Sequence, residues 1–310
     1  MAILSVNIGK LKLKNPVMVA SGTFGYAEEF KDFINLKTLG AIVSKTITLK
    51  PRKGNLPPRT CETPAGMLNS IGLENPGIGN FIEEKLPCLT KIGVPVIVSI
   101  ASEGAPDEFV TLAKRLDKIR EVSAMELNIS CPNIKNAQRK TQNAQLISQD
   151  AKATYEAVKS VRKVTKKTLI TKLTPNVTDI TEIAQAAEKA GSDAVSLINT
   201  LTGMSIDIET KKPKIASITG GLSGPAVRPV AVRMVWEVSQ KVKIPIIGMG
   251  GIMDSRDAIE FLLAGASAIS VGTANFINPK ATIEIIAGIK KYLRENKIKD
   301  IKQLTGSLKA

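Results

Sequence analysis

One cysteine stands where the chain could place a catalytic base. The sequence contains no histidine, so a general base has to be Cys, Lys, Asp, Glu or Tyr. Cys131 follows an apolar run at 124–127 and precedes Pro132, which cannot continue regular strand pairing. The thiol is therefore expected at the open end of a buried strand. Its ordinary pKa of about 8.5 lets it serve as a base after modest tuning.

Two glycine-rich segments near the C-terminus have the composition of a phosphate site. Gly250-Gly251 leaves no Cβ in the way of a phosphate, and Gly272-Thr273 adds backbone N–H groups and a hydroxyl. A helix that starts near Ser255 is expected to turn its positive end toward the same site. The alternative is that these glycines only form tight turns. Because both segments fit at once, we favour phosphate binding.

Two lysines follow apolar segments of strand type. Lys45 follows the run at 41–44, and Lys172 follows the run at 169–171. An ammonium group inside a barrel mouth is costly unless an anion pairs with it, so we interpret both as ligand-binding groups. Surface exposure is the alternative, because lysine is abundant throughout this chain.

Two long segments are expected to cover the site. Residues 63–77 combine glycine, proline and amide side chains with apolar residues, and they are interpreted as a loop that forms one wall of a pocket. Residues 202–223 are interpreted as a lid. Of the other cysteines, Cys61 and Cys88 are interpreted as small buried apolar side chains, with Cys61 close in sequence to the pocket wall.

The elements that must position these residues alternate between strands and helices. A hairpin is predicted at 6–13, and helices are predicted at 106–122, 151–165, 179–190, 229–242 and 255–264. Apolar runs typical of buried parallel strands lie at 17–20, 41–44, 94–98, 124–127, 169–171, 194–197, 245–247 and 268–271. This alternation predicts an α/β fold, a (β/α)₈ barrel formed as one domain over residues 1–310. An open doubly wound sheet is the alternative, and the absence of G-x-G-x-x-G after the first strand argues against its nucleotide-binding form.

Composition limits the class of protein. Net charge is +15, which indicates either a lysine-rich solvated surface or a polyanionic partner such as RNA; the even spread of the basic residues favours the surface. The three cysteines show no metal-binding spacing, so no metal site is predicted. No signal pattern or membrane-length apolar run is present. A cytoplasmic protein is expected.

At this point the motifs resemble those of one family, the class 1 dihydroorotate dehydrogenases, and most closely the class 1B catalytic subunit. The resemblance extends from about Asn15 to Phe276. The residues that carry it are ASGT at 20–23, SKT at 44–46, NSIGLENPG at 69–77, NISCPN at 128–133, KLTPN at 172–176, INT at 198–200, GGLSGP at 220–225 and GMGGI at 248–252.

The resemblance implies an FMN enzyme of pyrimidine biosynthesis in which Cys131 removes a proton from dihydroorotate. It implies FMN contacts from Ser21, Lys45, Thr46, Ser99, Asn128, Lys172, Ile198, Gly224, Gly250, Gly251, Gly272 and Thr273. It implies substrate contacts from Lys45, Asn69, Ser70, Ile71, Gly72, Leu73, Asn128, Asn199 and Thr200. Ser99 departs from the asparagine that is common in class 1B, which leaves that FMN contact open.

The resemblance also implies partners. Class 1B enzymes form a homodimeric core, joined by a subunit that carries FAD and a 2Fe–2S cluster and passes electrons to NAD⁺. Two other hypotheses stay open from the sequence: a dihydrouridine synthase-like FMN barrel that acts on tRNA, and a non-catalytic phosphate- or RNA-binding barrel. The first lacks a counterpart to the pocket at 69–73. Membrane association is not expected, and nucleic acid is a less favoured partner.

Overall fold

A closed barrel of eight parallel strands forms the centre of the structure, which confirms the predicted (β/α)₈ fold. The computed structural model describes residues 2–102, 106–130 and 146–309. The strands in chain order are β1 (Val6–Ile8), β2 (Leu11–Leu13), β3 (Val17–Val19), β4 (Ala41–Val43), β5 (Thr60–Thr63), β6 (Gly66–Asn69), β7 (Val96–Ile100), β8 (Val122–Asn128), β9 (Thr168–Lys172), β10 (Ala194–Leu197), β11 (Leu201–Met204), β12 (Ile206–Asp207), β13 (Lys212–Pro213), β14 (Thr219–Ser223), β15 (Ile246–Gly248) and β16 (Ala268–Val271). The α-helices are α1 (Gly77–Asn80), α2 (Leu86–Lys91), α3 (Pro106–Asp117), α4 (Ala151–Arg162), α5 (Ile180–Lys189), α6 (Arg228–Ser239), α7 (Ser255–Ala264), α8 (Ala274–Ile277) and α9 (Ala281–Glu295).

The barrel strands are β3, β4, β7, β8, β9, β10, β15 and β16, paired in that order until β16 closes on β3. Their residues are mostly Val, Ile, Leu and Ala and are almost all buried on both faces. This is the expected state of parallel strands that are covered by helices outside and packed side chains inside. All the carboxyl ends of the strands therefore meet at one mouth.

Two barrel strands begin later than the sequence predicted. The predicted runs 94–98 and 245–247 are observed as Val96–Ile100 and Ile246–Gly248. Pro95 and Pro245 accept hydrogen bonds from Ile42 and Val195 through their carbonyls, but proline has no N–H to donate to a ladder. The regular pairing starts after each proline, and each strand reaches further into the mouth.

The helices α3 and α4 are shorter than predicted. The predictions 106–122 and 151–165 end at Asp117 and Arg162, because the residues beyond them form turns that lead into β8 and β9. Aspartate side chains cap α4 and α5, with Asp150 accepting from the N–H of Ala153 at 2.6 Å. No helix in the described part of the chain is long and apolar enough to cross a membrane.

The predicted N-terminal hairpin is formed by β1 and β2. Its turn lies at the bottom of the barrel: a Cβ added to Gly9 would lie 2.7 Å from the Cβ of Asp193 and 3.3 Å from the Cγ2 of Thr168. Asp193 and Thr168 stand at the N-terminal ends of β10 and β9. Ile8 and Leu13 are fully buried, so the hairpin closes the end of the barrel opposite the mouth.

A second sheet lies at the mouth, and it includes part of the segment 63–77 that was predicted as a loop, whereas residues 70–74 have no regular secondary structure. Four antiparallel strands pair in the order β11, β14, β6, β5. The central pairing joins Asn69 to Gly221 and Met67 to Ser223, so the predicted pocket wall and the predicted lid form one structure. We call these four strands the mouth sheet.

Candidate active site

A cavity of about 350 Å³ opens at the carboxyl ends of the barrel strands, beneath the mouth sheet. This volume is within the range of roughly 300–1,000 Å³ that is usual for small-molecule sites. Predicted site residues make up much of its lining: Ser21, Lys45, Thr46, Asn69, Ile71, Gly72, Leu73, Asn128, Lys172, Ile198, Asn199, Thr200, Gly250, Gly251, Gly272 and Thr273. Segments from 20 to 273 in the sequence thus meet in one pocket.

Three predicted site residues that the structure describes do not line the cavity, and a fourth is not described. Cys131 lies outside the described residues. Ser99 is fully buried below the floor. Ser70 is buried behind the wall, where its Oγ accepts a hydrogen bond from Asn55 Nδ2 at 2.9 Å. Gly224 stands behind Gly251, since a Cβ on Gly251 would lie 2.8 Å from the Gly224 carbonyl oxygen.

The position of Ser99 follows from the later start of β7. Because the strand continues to Ile100, Ser99 is inside the barrel rather than at its rim. Its hydroxyl lies 2.9 Å from Thr46 Oγ1 and donates to Glu126 Oε1 at 3.1 Å. Among the described residues, the hydrogen bond to Thr46 is therefore the link from Ser99 to the pocket lining.

The glycine turns after β15 and β16 form one side of the pocket. Gly250 and Gly251 have φ angles of 123° and 79°, values that favour glycine because a Cβ is strained there. Next to them, Thr273 Oγ1 donates to Ser223 Oγ at 2.9 Å. This side therefore presents backbone and small hydroxyl groups, as a phosphate site requires.

The prediction that the start of α7 contributes to this site is wrong. Asp254 caps the helix by accepting from the N–H groups of Arg256 at 2.8 Å and Asp257 at 3.1 Å. Asp257 accepts from the N–H of Met253 at 2.8 Å and forms an ion pair with Arg228. Carboxylates therefore already accept from three N–H groups at this end of the helix, and in the described part of the chain no residue of 253–257 lines the cavity.

Two lysines give the mouth its positive charge. Lys172 ends β9 and is only 5% exposed, and no ion pair joins it to a carboxylate among the residues that the structure describes. Lys45 is half-buried, and burial lowers the pKa of its ammonium; Arg59 also lowers this pKa, whereas Glu74 and Glu29 raise it. A bound anion would offset the cost of burying both charges.

Hydroxyl and amide side chains form the floor on the other side. Thr46 Oγ1 lies 2.9 Å from Ser21 Oγ and accepts from Asn128 Nδ2 at 3.1 Å. Asn199 Nδ2 donates to Ser130 Oγ at 2.9 Å. Ser130 immediately precedes Cys131 in the sequence. Its hydroxyl is hydrogen-bonded to Asn199 and to Asn128, and both of these residues line the pocket.

Sequence reasoning missed several lining residues. Ser270 is 1% exposed, lines the pocket and has no hydrogen-bond partner for its Oγ in the described part of the chain. Its position two residues before Gly272 was the available signal, since alternate strand residues share a face. The mouth sheet and its neighbouring loop supply further missed residues, among them Arg59, Thr60, Met67, Glu74, Leu222 and Ser223. Arg59 and Glu74 form an ion pair at the rim.

The two described cysteines differ from the sequence interpretation. Cys61 and Cys88 are both half-buried rather than buried. Cys61 lies on β5 opposite Leu68 and is not among the lining residues, and Cys88 donates to the Glu84 carbonyl at 3.6 Å. Within the described residues, no three Cys, Asp or Glu side chains come close enough together to hold a metal ion.

Comparison with known proteins identifies one family. The family model described as "Dihydroorotate dehydrogenase" matches residues 3–293. A protein from Thermodesulfovibrio yellowstonii is 54% identical over 309 residues, covering 100% of both chains. Proteins from Geotalea uraniireducens and Thermoanaerobacter pseudethanolicus are each 53% identical, covering 98% and 99% of both chains respectively. All three are named dihydroorotate dehydrogenase B (NAD(+)), catalytic subunit.

Proposed function

The chain belongs to the dihydroorotate dehydrogenase family, and from this premise we propose that its barrel mouth binds FMN and dihydroorotate, with Cys131 as the base. The protein is an oxidoreductase that oxidises dihydroorotate to orotate in pyrimidine biosynthesis. The family match and its relatives favour this activity over the tRNA-modifying and non-catalytic alternatives. The meeting of predicted flavin and substrate residues in a single cavity is the observation that supports the site most strongly.

The glycine side of the pocket fits the FMN phosphate. Gly250, Gly251 and Gly272 bring backbone without a side chain of its own to this side, and Thr273 adds a hydroxyl. Ser270 Oγ is buried and without a partner among the described residues, and a buried hydroxyl of this kind is normally satisfied. A ligand that brings polar atoms to this corner would satisfy it. Gly224 supports the cradle from behind by packing against Gly251.

Lys172 is proposed to hold the charge that develops on the cofactor. A bound flavin supplies a two-electron acceptor for the hydride that leaves C6 of the substrate. The buried ammonium of Lys172 is placed in a low-dielectric site, where a fixed positive charge stabilises a developing anion strongly. Ser21, Thr46, Asn128 and Ile198 are proposed to contact the ring and ribityl chain, and Ser99 is proposed to act only through Thr46.

The substrate is an anion with amide-like edges, and the proposed contacts match both properties. Lys45 would pair with the carboxylate of dihydroorotate, which offsets its burial. Amide and backbone groups would hydrogen-bond the pyrimidine carbonyls and N–H groups. The proposed residues are Asn69, Ile71, Gly72, Leu73, Asn128, Asn199 and Thr200, with Ser70 behind the wall.

Cys131 is proposed to take the proton from C5. As a thiolate it would form an S–H bond while the C5–H electron pair becomes the C5=C6 double bond of orotate. Without histidine in the sequence, cysteine is the side chain whose ordinary pKa is nearest to neutral. Ser130, which immediately precedes Cys131, is hydrogen-bonded to Asn199 in the pocket lining.

The partner subunits are proposed from the names of the relatives. We propose a homodimeric core in the cytoplasm, joined by a subunit with FAD and a 2Fe–2S cluster that delivers electrons to NAD⁺. The support is the name "catalytic subunit" carried by the relatives, together with their reference to NAD⁺. Copurification from the host, followed by iron and flavin analysis of the complex, tests this part of the proposal.

The decisive experiment adds dihydroorotate anaerobically to purified protein loaded with FMN. The flavin absorbance is expected to disappear as the substrate is oxidised, and orotate is expected to form in equal amount. Protein that stays colourless after FMN has been added would contradict the cofactor proposal. Yellow protein that dihydroorotate does not bleach would contradict the proposed site.

Cys131→Ala tests the base in the same assay. We expect FMN to stay bound and the rate of bleaching near pH 7 to fall about 10²- to 10⁴-fold, the usual contribution of a general base. Cys88→Ala is the matched control, because this half-buried thiol lies on α2 and should keep the parental rate. A Cys131→Ala rate within a few-fold of the parent removes Cys131 from the proposed mechanism.

A further inference from the structure

A continuous series of hydrogen bonds runs through the pocket floor to a buried carboxylate. From Thr200 N, the links run to Asn199 Oδ1 at 2.8 Å, from Asn199 Nδ2 to Ser130 Oγ at 2.9 Å, and from Ser130 Oγ to Asn128 Oδ1 at 3.1 Å. They continue from Asn128 Nδ2 to Thr46 Oγ1 at 3.1 Å, then to Ser99 Oγ at 2.9 Å and to Glu126 Oε1 at 3.1 Å. We call this series the floor chain.

At its Thr200 end, the floor chain allows only one direction of hydrogen-bond donation. The backbone N–H of Thr200 is a donor only, so the oxygen of the Asn199 amide must face it. The Asn199 nitrogen then faces Ser130, where it also donates to the carbonyl oxygen at 3.1 Å, a group that can only accept. The hydroxyl hydrogen of Ser130 is thereby left for Asn128 Oδ1.

The other end demands the same direction. Glu126 is 2% exposed, and its Oε1 accepts from Ser99 Oγ at 3.1 Å, so the single hydrogen of Ser99 points to it. Thr46 must then give its own hydrogen to Ser99, and the Asn128 nitrogen must face Thr46. With Ser99 donating to Glu126, reversing the link at Thr46 or at Asn128 leaves two oxygens in contact without a hydrogen between them. The two ends therefore agree on one arrangement.

This arrangement decides what the floor offers to a ligand. Ser21 Oγ lies 2.9 Å from Thr46 Oγ1, and the only hydrogen of Thr46 is already directed to Ser99. Ser21 must therefore donate to Thr46, which leaves the lone pairs of Ser21 for the pocket. A ligand group at Ser21 has to bring a hydrogen, as the ring N–H or a ribityl hydroxyl of FMN does.

We propose that Glu126 is a positioning residue that sets the hydrogen-bond polarity of the pocket floor, so that Ser21 meets the cofactor as an acceptor. The proposal rests on the proposed function for the identity of the ligand. Glu126 acts through Ser99 and Thr46 and does not line the cavity. Its other oxygen accepts from Ser196 Oγ at 3.1 Å, a link that leads away from the floor chain.

Neutron diffraction from deuterium-exchanged crystals of the whole protein tests the polarity without reference to any ligand. Deuterons are expected on Ser99 toward Glu126, on Thr46 toward Ser99 and on Ser21 toward Thr46. A deuteron on Ser21 that points into the pocket, or one on Glu126 that points toward Ser99, overturns the proposal. Either result stands whether or not the protein binds FMN.

A matched pair of serine variants tests the consequence for binding. Ser99→Ala cuts the floor chain and frees the Thr46 hydrogen to turn to Ser21, so we expect about three- to tenfold weaker FMN binding by the apoprotein and a shifted visible spectrum of bound FMN. Ser196→Ala removes the other bond to Glu126 from an equally buried position, and we expect it to weaken FMN binding much less. Equal losses in the two variants would mean that only packing around Glu126 matters.

Substitution of Glu126 separates polarity from charge. In Glu126→Gln the amide oxygen can face Ser99 and the nitrogen can face Ser196, so FMN affinity and spectrum are expected to stay close to those of the parent. Glu126→Met lacks an acceptor and is expected to match Ser99→Ala. A Gln variant as weak as the Met variant overturns the proposal in favour of a charge effect. A parent protein that does not bind FMN refutes the proposed function instead, and the neutron map still decides the polarity.

Discussion

One side of the barrel mouth is formed mainly by backbone, and the other side is formed by side chains. After β15 and β16, the pocket is bounded by glycine backbone, and a side chain added at Gly251 would collide with neighbouring atoms. Along β4, β8, β9 and β10, it is bounded by two lysine side chains and by amide and hydroxyl side chains that are joined by hydrogen bonds. The first side recognises a ligand through the space that its glycines leave open. The second side recognises a ligand through the placement of charges, donors and acceptors.

This difference predicts two kinds of sensitivity to mutation. A change at a strained glycine such as Gly251 should act through steric strain and should affect the fold and the ligand together. A change on the side-chain side should leave the fold largely intact and alter affinity, potential or pH dependence. The predictions that follow test this division, beginning with the largest expected effect.

Gly251→Ala should do the most damage. At a φ of 79°, a Cβ costs about 1–2 kcal/mol in backbone strain alone. The same Cβ would also lie 2.8 Å from the Gly224 carbonyl oxygen and 3.0 Å from the Arg228 nitrogen, so the cradle itself must shift. We expect a lower melting temperature and at least about a hundredfold loss of FMN affinity, both measured on the purified apoprotein.

Two other glycines provide the comparison. A Cβ on Gly79 would meet no atom within 4 Å, and one on Gly272 would lie 3.6 Å from the Cβ of Ala20, an ordinary contact. Gly79→Ala should leave stability and FMN binding unchanged. Gly272→Ala should keep its stability and lose affinity only if the ligand packs against this residue. A Gly251→Ala protein that binds FMN normally would show that the two sides do not differ as described.

The glycine side was the part of the site that the sequence predicted best. Gly250, Gly251, Gly272 and Thr273 lie directly after apolar runs of strand type, and in a parallel barrel every such position reaches the same mouth. Their chemistry depends on the backbone, so no side-chain orientation has to be known. The contribution of α7 was predicted wrongly, because the sequence does not show that Asp257 turns back onto the helix start and pairs with Arg228.

The side-chain side could be predicted only in part. Lys45, Lys172, Asn128 and Asn199 line the cavity as expected, but Ser99 was placed at the rim because the two-residue shift of β7 was not foreseen. Pairing between strands that lie far apart in the sequence could not be predicted either. The mouth sheet pairs Asn69 of β6 with Gly221 of β14. Both strands are short and contain glycine, and neither has a sequence pattern that predicts which strand it pairs with.

Lys172→Met should have an intermediate effect. Methionine keeps the length and apolar packing of the side chain while removing the buried charge, so the fold should be retained. Reduced flavin would lose a stabilising cation, and we expect its midpoint potential to fall by about 30 mV, which for two electrons corresponds to about 1.4 kcal/mol. Anaerobic titration of the FMN-loaded protein against a reference dye measures this shift.

Lys167→Met provides the matched control on the other end of the same strand. Lys167 immediately precedes β9 and donates to the carbonyls of Ile119 at 2.9 Å and Val122 at 2.7 Å. It stands five residues from Lys172, or about 16 Å along the strand, which exceeds the Debye length of about 8 Å at physiological salt. Its removal should lower stability without moving the potential. Equal shifts in both variants would mean that net charge alone sets the potential.

Lys45→Met should have the smallest effect on the protein. It should raise the stability of the ligand-free protein, whereas Gly251→Ala lowers it. Burial lowers the pKa of Lys45, so in the window between this folded pKa and the unfolded value of about 10.4 the unfolded chain binds more protons. The burial cost is complete below the folded pKa and is relieved as pH rises through that window. The ligand-free variant should therefore be more stable than the parent at pH 7, by a margin that shrinks toward pH 10.

Urea denaturation at pH 7 and pH 10 measures that margin, and Lys91→Met, at an exposed position on α2, should show none. The same Lys45 variant should bind dihydroorotate about tenfold more weakly, because the anion loses its partner. A variant that is stabilised at pH 7 and impaired in substrate binding would show that this side of the mouth gives up stability for charge complementarity. A margin that grows with pH would contradict the assigned cause, since relief of burial can only reduce it.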